Sequence, residues 1–370
     1  VRKVGTDMLN TADKPVFETK DLTAPSHVRL IGKKTSSKLG QNSSELLVDC
    51  FGRIQNDLRI SVTDNCNLRC IYCLPEEGID LFKKKDIMSF EQITAVARIF
   101  KNLGVNRVRL TGGEPLMRRG LDELIYGLNA IGFEDISLTT NGMNLAGQAL
   151  RLKEAGLKRV NISCDSLNKE KFAKIRRRGN LDTVLKAMDK SEEANLLPVK
   201  INVVVIRGVN DDEILDFIRF AIKTKRCVRF IEYMPLDATG LWNREKVVTL
   251  NEIIKCVSLA FPIQEEVTAK PTPARTWNIL GQDASFGIIA SVSEPFCKSC
   301  NRLRLTADGK LKSCLFGQAE YDLKKLFSRG DFEQRIIDVI NTAVKAKGSG
   351  HIIGRPEFRK PARTMSKIGG

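Results

Sequence analysis

Histidine is nearly missing from this chain: His27 and His351 are the only two in 370 residues. That leaves little room for acid–base or metal chemistry built on imidazole. Aromatic residues make up 6%, and no stretch alternates basic and aromatic side chains as stacking on single-stranded bases requires. No apolar run reaches the length that spans a bilayer; Ile201–Ile206 is among the longest and reads as a strand. Acidic residues are outnumbered, 44 against 60 Lys and Arg, and the net charge of +16 favours a polyanionic partner. Charge does not choose between nucleic acid and a nucleoside triphosphate. The rest of the composition, 42% hydrophobic and 28% charged, is globular. The length suits one large α/β domain with additions, or two domains.

What is present in quantity is cysteine, and six of the ten fall in two triplets. A disulfide framework belongs to short secreted chains, so in a chain this long the triplets read as ligands in a reducing compartment. The other four, Cys50, Cys164, Cys227 and Cys256, are scattered and read as core or surface residues without a role. Cys66, Cys70 and Cys73 form a C-x3-C-x2-C run directly after a strand in which Leu58, Ile60 and Val62 alternate with Arg59, Ser61 and Thr63. Structural zinc wants four ligands and commonly starts C-x2-C, so this spacing suits it poorly. Iron–sulfur clusters are held by closely spaced cysteines, normally four. Three leave one iron open to bind something else. The second triplet, Cys297, Cys300 and Cys314, is again three, and Asp308-Gly309 reads as a hairpin turn that returns Cys314 to the other two. Two three-ligand sites in one chain argue for two clusters, each with an open iron.

From Asp57 the pattern alternates strands with helices: helix 90–102, strand 105–111, helix 121–131, strand 135–140, helix 145–155 and strand 158–163. Helix 181–195, strand 199–206, helix 211–224 and strand 227–232 complete the run. Six strands each followed by a helix or loop predict a parallel sheet that closes partly into a barrel, with chemistry on the loops after the strands. Residues 246–262 read as helical, 263–293 as short strands, and helices are expected near 320–328 and 331–346. Residues 1–50 show little periodicity, and 22–44 contain no acid but four basic residues and several serines, as the remains of a transit peptide do. The expected division is therefore a flexible segment 1–50, a partial barrel 51–245, a C-terminal region 246–346 with the second cluster, and a tail 347–370 ending Gly-Gly.

The C-x3-C-x2-C run, with Tyr72 before its last cysteine, resembles the signature of the radical S-adenosylmethionine (SAM) superfamily. In that superfamily the open iron chelates SAM, and an electron from the cluster splits it into methionine and a 5′-deoxyadenosyl radical. With Asn301-Arg302-Leu303-Arg304 inside the second triplet, the chain from about residue 50 to its terminal glycines resembles the GTP 3′,8-cyclase family, the molybdenum cofactor biosynthesis protein A group. Leu74-Pro75-Glu76-Glu77-Gly78 and the segment Phe230–Pro235 look closest to its eukaryotic branch. The resemblance implies an α/β fold with an incomplete (β/α)6 TIM-type barrel and a C-terminal extension carrying a second iron–sulfur site. It implies a lyase that takes the 3′ hydrogen of GTP and closes the ribose onto C8, giving 3′,8-cyclo-7,8-dihydro-GTP, with two [4Fe–4S] clusters and SAM as cofactors.

By the same resemblance Cys66, Cys70 and Cys73 hold the SAM cluster, and Cys297, Cys300 and Cys314 the cluster that orients the purine. Tyr72, Gly113 in the loop Gly112–Pro115, Ser163 and Met234 match the SAM-binding positions. Arg59, Arg109, Thr139, Lys200, Arg302 and Arg304 match the GTP-contacting ones, with Arg229 assisting. Arginine suits phosphate because its fork donates two parallel hydrogen bonds. No residue stands out as a general acid or base, since the cofactor carries the hard chemistry. The implied partners are GTP, cyclic pyranopterin monophosphate synthase downstream and an electron donor; a homodimer is admitted, and neither membrane nor nucleic acid is expected. The leader-like segment and eukaryotic look point to the mitochondrial matrix, with the cytosol as the alternative. Two rival readings are a radical SAM enzyme acting on RNA or a peptide, whose peptide-modifying members carry larger auxiliary cysteine motifs, and a zinc-stabilised nucleic-acid-binding module.

Overall fold

The alternation at the first strand sets the frame. In β1 (Asp57–Ser61) Leu58 and Ile60 are fully buried against the helical layer, and Arg59 between them points to the other face, half-buried. The structure, a computed structural model, describes residues 46–238, 240–267, 272–353 and 355–369. The expected flexible segment thus lies outside the described residues up to 45, including the acid-free stretch from 22 to 44.

After β1 come α1 (Phe90–Asn102), β2 (Arg107–Thr111), α2 (Leu121–Ile131), β3 (Asp135–Thr140), α3 (Ala149–Glu154) and β4 (Arg159–Ser163). Then follow α4 (Lys169–Arg176), α5 (Leu181–Glu193), β5 (Lys200–Val205), α6 (Ile214–Thr224), β6 (Cys227–Glu232) and α7 (Leu250–Ser258). The last third holds β7 (Ile263–Glu266), β8 (Arg275–Ile279), β9 (Ser285–Ile289), β10 (Arg302–Leu305), β11 (Lys310–Lys312), β12 (Tyr321–Asp322), α8 (Phe332–Lys345) and α9 (Met365–Ile368). The helices obey local rules. Ser89 and Gln92 form a capping box at the start of α1, and Ile93, Val96, Ala97 and Phe100 bury one stripe of it. Each such large side chain contributes about 1.5–3 kcal/mol on leaving water. Gly104, at φ +85°, turns the chain out of α1 into β2.

The twelve strands among the described residues belong to one sheet in the order β12-β11-β10-β1-β2-β3-β4-β5-β6-β9-β8-β7. Strands β1 to β6 run parallel in sequence order, the incomplete (β/α)6 barrel expected. The C-terminal region extends it on both flanks: β10 adds in parallel to β1, and β9 in parallel to β6. Beyond each, the outer strands are antiparallel, and the sheet is not closed.

Four local readings differ. The expected helix 320–328 is a two-residue strand followed by a 3-10 turn, Lys324–Ser328, because β12 pairs with β11 before any helix can start. Helix α4 lies where none was expected; Asn168 caps it, and Arg177 in the left-handed region ends it. The helix expected at 145–155 is helical only over Ala149–Glu154. Ordered structure also begins before Phe51: Leu47 is buried and Val48 pairs with Ile54.

Candidate active site

The loops after the parallel strands enclose a cavity of about 280 Å³. Every site residue named from the sequence lines it except Lys200. Lys200 opens β5, at the entry end of that strand, and stands behind the cavity wall.

Cys66, Cys70 and Cys73 sit on the loop after β1, and that loop is clamped by the one after β2. A Cβ on Gly112 would stand 2.6 Å from the Thr63 carbonyl oxygen; one on Gly113 would stand 2.6 Å from that of Asp64 and closer still to that of Asn65. The glycines are thus required by the approach of the cysteine loop itself. Beside them Glu114 is buried and accepts from Leu116 N, Thr140 Oγ1 and Asn141 N at 2.7–3.0 Å, tying the loops after β2 and β3 together. Burial pushes its pKa up to about 7, against those three donors. Burial also pushes the Cys66 thiol up to about 11 and raises those of Cys70 and Cys73. Bare thiolates are therefore unfavourable here, and a cationic centre between them would hold them ionised. The Tyr72 hydroxyl is committed to Asp165 Oδ2 at 2.7 Å, so only its ring and backbone remain for a ligand.

The second wall is cationic. Strand register sets Arg304 beside Arg59, and Arg59 beside Arg109, on three adjacent strands. Like charges side by side on a sheet are destabilising. Burial first, then the Arg302, Arg109 and Arg304 guanidinium groups, push Arg59 well below the arginine range. Burial first also pushes Arg109 and Arg304 down to about 10 and Arg229 to about 9. One carboxylate partly compensates: against its own burial, the four arginines Arg59, Arg109, Arg302 and Arg304 hold Asp57 below its usual range. Arg229 Nη2 donates to Asn161 Oδ1 at 2.5 Å, and Arg109 Nε to Ser137 Oγ at 3.3 Å. Arg59 Nε, Arg229 Nε and Asn202 Oδ1 are buried without a hydrogen-bond partner. The two orphaned arginine donors call for an anion with several acceptors, and the Asn202 oxygen for a ligand N–H or O–H.

The third wall is the C-terminal region. The 3-10 turn Phe296–Ser299 carries Cys297, and the β10–β11 hairpin, turning at Gly309 with φ +80°, returns Cys314 near it, as expected. Arg302 stacks over the Phe296 ring at 4.6 Å. The tail runs from this triplet to the first: the His351 N–H points at Cys297 sulfur and the Ser366 N–H at Cys73 sulfur. Arg363 pins it with paired bonds to Asp308 at 2.9 Å and to Glu320 at 2.8–2.9 Å. At its end Ile368 is fully buried and the Gly369 carbonyl accepts from Arg304.

Among the described residues no three His, Cys, Asp or Glu converge tightly enough for a single ion. A cluster bonds each thiolate through a different iron and tolerates wider spacing, so the donor set fits clusters better than zinc. Several contributors were missed from sequence: Asp57, Asn161 and Asn202 on the inward faces of named strands, Asp165 with Arg176, and Lys347 with Gln55. For the strand residues the signal was the two-residue period, which puts Asp57 on the same face as Arg59; the others had none.

The chain matches the Radical SAM superfamily over residues 60–221, and this parallel sheet with its three-cysteine loop is the fold of that class. The SAM-bound crystal structure of SuiB from Streptococcus suis has the same fold, with a TM-score of 0.58 at 14% identity over 80% of this chain and 69% of that one. Residues 227–353 match Molybdenum Cofactor Synthesis C. The GTP 3′,8-cyclase of Rhodopirellula baltica is 42% identical over 330 residues, covering 88% of this chain and 92% of the relative. That of Moorella thermoacetica is 45% identical over 87% of this chain and 99% of its own. The mitochondrial GTP 3′,8-cyclase of Arabidopsis thaliana is 42% identical over 88% and 84%. The chain belongs to the GTP 3′,8-cyclase family.

Proposed function

We propose that this chain converts GTP to 3′,8-cyclo-7,8-dihydro-GTP, the first step of molybdenum cofactor biosynthesis, as a radical SAM lyase with two [4Fe–4S] clusters. The observation that carries the reading is the shared cavity: both cysteine triplets and the arginine row line the same space. Cys66, Cys70 and Cys73 hold one cluster, and Cys297, Cys300 and Cys314 the other. When bound, the first cluster and SAM would supply the radical chemistry that removes the ribose 3′ hydrogen.

The chain's own residues position and shield. Gly113 keeps the loop after β2 flush against the cysteine loop, so that backbone groups, with Tyr72, Ser163 and Met234, surround SAM. Arg59, Arg109, Arg302 and Arg304, with Arg229, take the triphosphate, whose charge relieves their mutual repulsion. Thr139 sits beside them on β3. Lys200 acts from behind through its field on Arg229 and Arg109. Ile368 and the tail close one side against water, which a carbon radical demands.

The working division is a partial barrel over 51–245, a second-cluster region over 246–346, and a tail over 347–370 that reaches both triplets; residues 1–50 precede them. Cyclic pyranopterin monophosphate synthase would take the product, a low-potential donor would supply the electron, and sedimentation would test a homodimer. The mitochondrial Arabidopsis relative supports a matrix location; a tagged full-length protein found in the cytosol would overturn it.

The decisive test is anaerobic: reconstitute, reduce with dithionite, add SAM and GTP, and follow both products. Deoxyadenosine with a cyclised nucleotide is expected. Protein with two intact clusters that yields neither contradicts the reading.

A further inference from the structure

Each cysteine triplet has one buried cation behind it that donates to a ligand sulfur. At the first, Arg176 Nη1 lies 3.5 Å from Cys70 Sγ. Arg176 closes α4 and is buried, and its Nη2 pairs at 2.8 Å with Asp165, itself buried. Asp165 is fixed in turn by the Tyr72 hydroxyl and by Val204 N at 2.9 Å. At the second triplet Lys347 Nζ lies 3.6 Å from Cys300 Sγ. It is buried, just after α8, and also donates to Gln55 Oε1 at 2.5 Å and to the Arg302 carbonyl at 2.9 Å. Gln55 is held by Asp49, whose other partner, Arg53, reaches the Cys297 carbonyl at 2.8 Å. Both are buried; Arg176 lines the cavity beside the first triplet, and Lys347 does not line it. Burying a charge is expensive unless something nearby needs it.

We propose that Arg176 and Lys347 are positioning residues that set the reduction potentials of the two clusters, Arg176 for the one on Cys66, Cys70 and Cys73 and Lys347 for the one on Cys297, Cys300 and Cys314. This rests on the cluster reading above. Each cluster gains one electron from a low-potential donor and becomes more negative by one charge. A fixed cation bonded to a ligand sulfur favours that reduced form and raises the potential, as charge and hydrogen bonds at the sulfurs do generally. In the first cluster Asp165 offsets part of the effect from behind while holding the guanidinium on Cys70.

The test is an EPR-monitored dithionite titration of the reconstituted protein without SAM or GTP, with iron and sulfide counted in every sample. Cys314→Ser assigns the two transitions. Arg176→Gln is expected to move only the first transition to more negative potential and Lys347→Met only the second, while Arg176→Lys, which keeps the charge, recovers most of the first shift. If Arg176→Gln does not fold, Arg176→Lys and Lys347→Met carry the comparison. Fully loaded Arg176→Gln and Lys347→Met proteins with both transitions at wild-type potentials would overturn the proposal. Wild-type protein that fails to take up two clusters would instead overturn the reading beneath it.

Discussion

The Arg304 guanidinium donates to the Gly369 carbonyl oxygen at 2.8 Å, joining the strand between the second triplet's ligands to the end of the chain. The contact is buried on both sides, and Gly369 adopts φ +95°, which other residues reach only with strain. A Cβ there would stand 2.6 Å from Thr111 Oγ1 and 2.7 Å from Ser61 Cβ, both on inner strands of the barrel. Gly369→Val must therefore withdraw the tail end. Cyclisation of GTP is expected to fall by about ten- to a hundred-fold, the weight of a lost charged hydrogen bond of ~1.5–3 kcal/mol. The melting temperature should hold, since the sheet is untouched. A wild-type cyclisation rate in this variant would show that the tail contact takes no part.

Arg304, Arg59 and Arg109 stand side by side at matched register, a row of like charges that costs stability for the sake of a ligand. Arg109→Met should then raise the melting temperature of the GTP-free protein while weakening GTP binding by roughly ten- to a hundred-fold. Thermal unfolding and calorimetry read the two effects on one sample. A variant that is both less stable and unaltered in GTP binding would remove Arg109 from the site.

Much of this was legible because two patterns coincide. Period two in strand β1 set Leu58 and Ile60 apart from Arg59, and the cysteine spacing after it pointed to an iron–sulfur site with an open iron; the chemistry and the residue roles came from the family resemblance of the same stretch. What escaped depends on contacts distant in sequence. Lys347 and Gln55 meet across almost the whole chain, and no local period announces a bond between a helix terminus and a strand's lead-in. Arg176 was one basic residue among 60, on a polar helix whose apolar stripe is only Phe172 and Ile175. Lys200 sits on the strand expected, but at its first residue, and does not line the cavity.

That placement gives Lys200 a titration signature. Burial first, then Arg229, lowers its pKa below the ordinary lysine value. A bound triphosphate adds negative charge and raises it again. As pH rises through the lowered value, the free protein therefore loses the proton before the GTP complex does. GTP affinity should fall over that window, and binding should take up a fraction of a proton there and none well below it. Arg229, pushed down to about 9, and Arg109 and Arg304, pushed down to about 10, respond to the same anion and add to that uptake. Calorimetry in two buffers of different ionisation enthalpy measures the uptake. Lys200→Gln should reduce it; uptake undiminished in the variant assigns the proton to the arginines.

Cys314 offers the cleanest separation of the two halves of the chemistry. It reaches its triplet only through the β10–β11 hairpin, and the first triplet's loop is built independently on Gly112, Gly113 and Glu114. Cys314→Ser should therefore lose about half the iron, one of two clusters, and retain the cluster on Cys66, Cys70 and Cys73. SAM should still be cleaved to deoxyadenosine on reduction. GTP cyclisation should be abolished, because the arginine row can still hold the triphosphate but nothing fixes the purine against the ribose. Phosphate contacts and purine contacts thus fail separately: GTP should still bind, weakened by roughly ten- to a hundred-fold if purine ligation is worth a single charged contact of ~1.5–3 kcal/mol. Cyclisation at the wild-type rate with half the iron would refute a role for the second cluster.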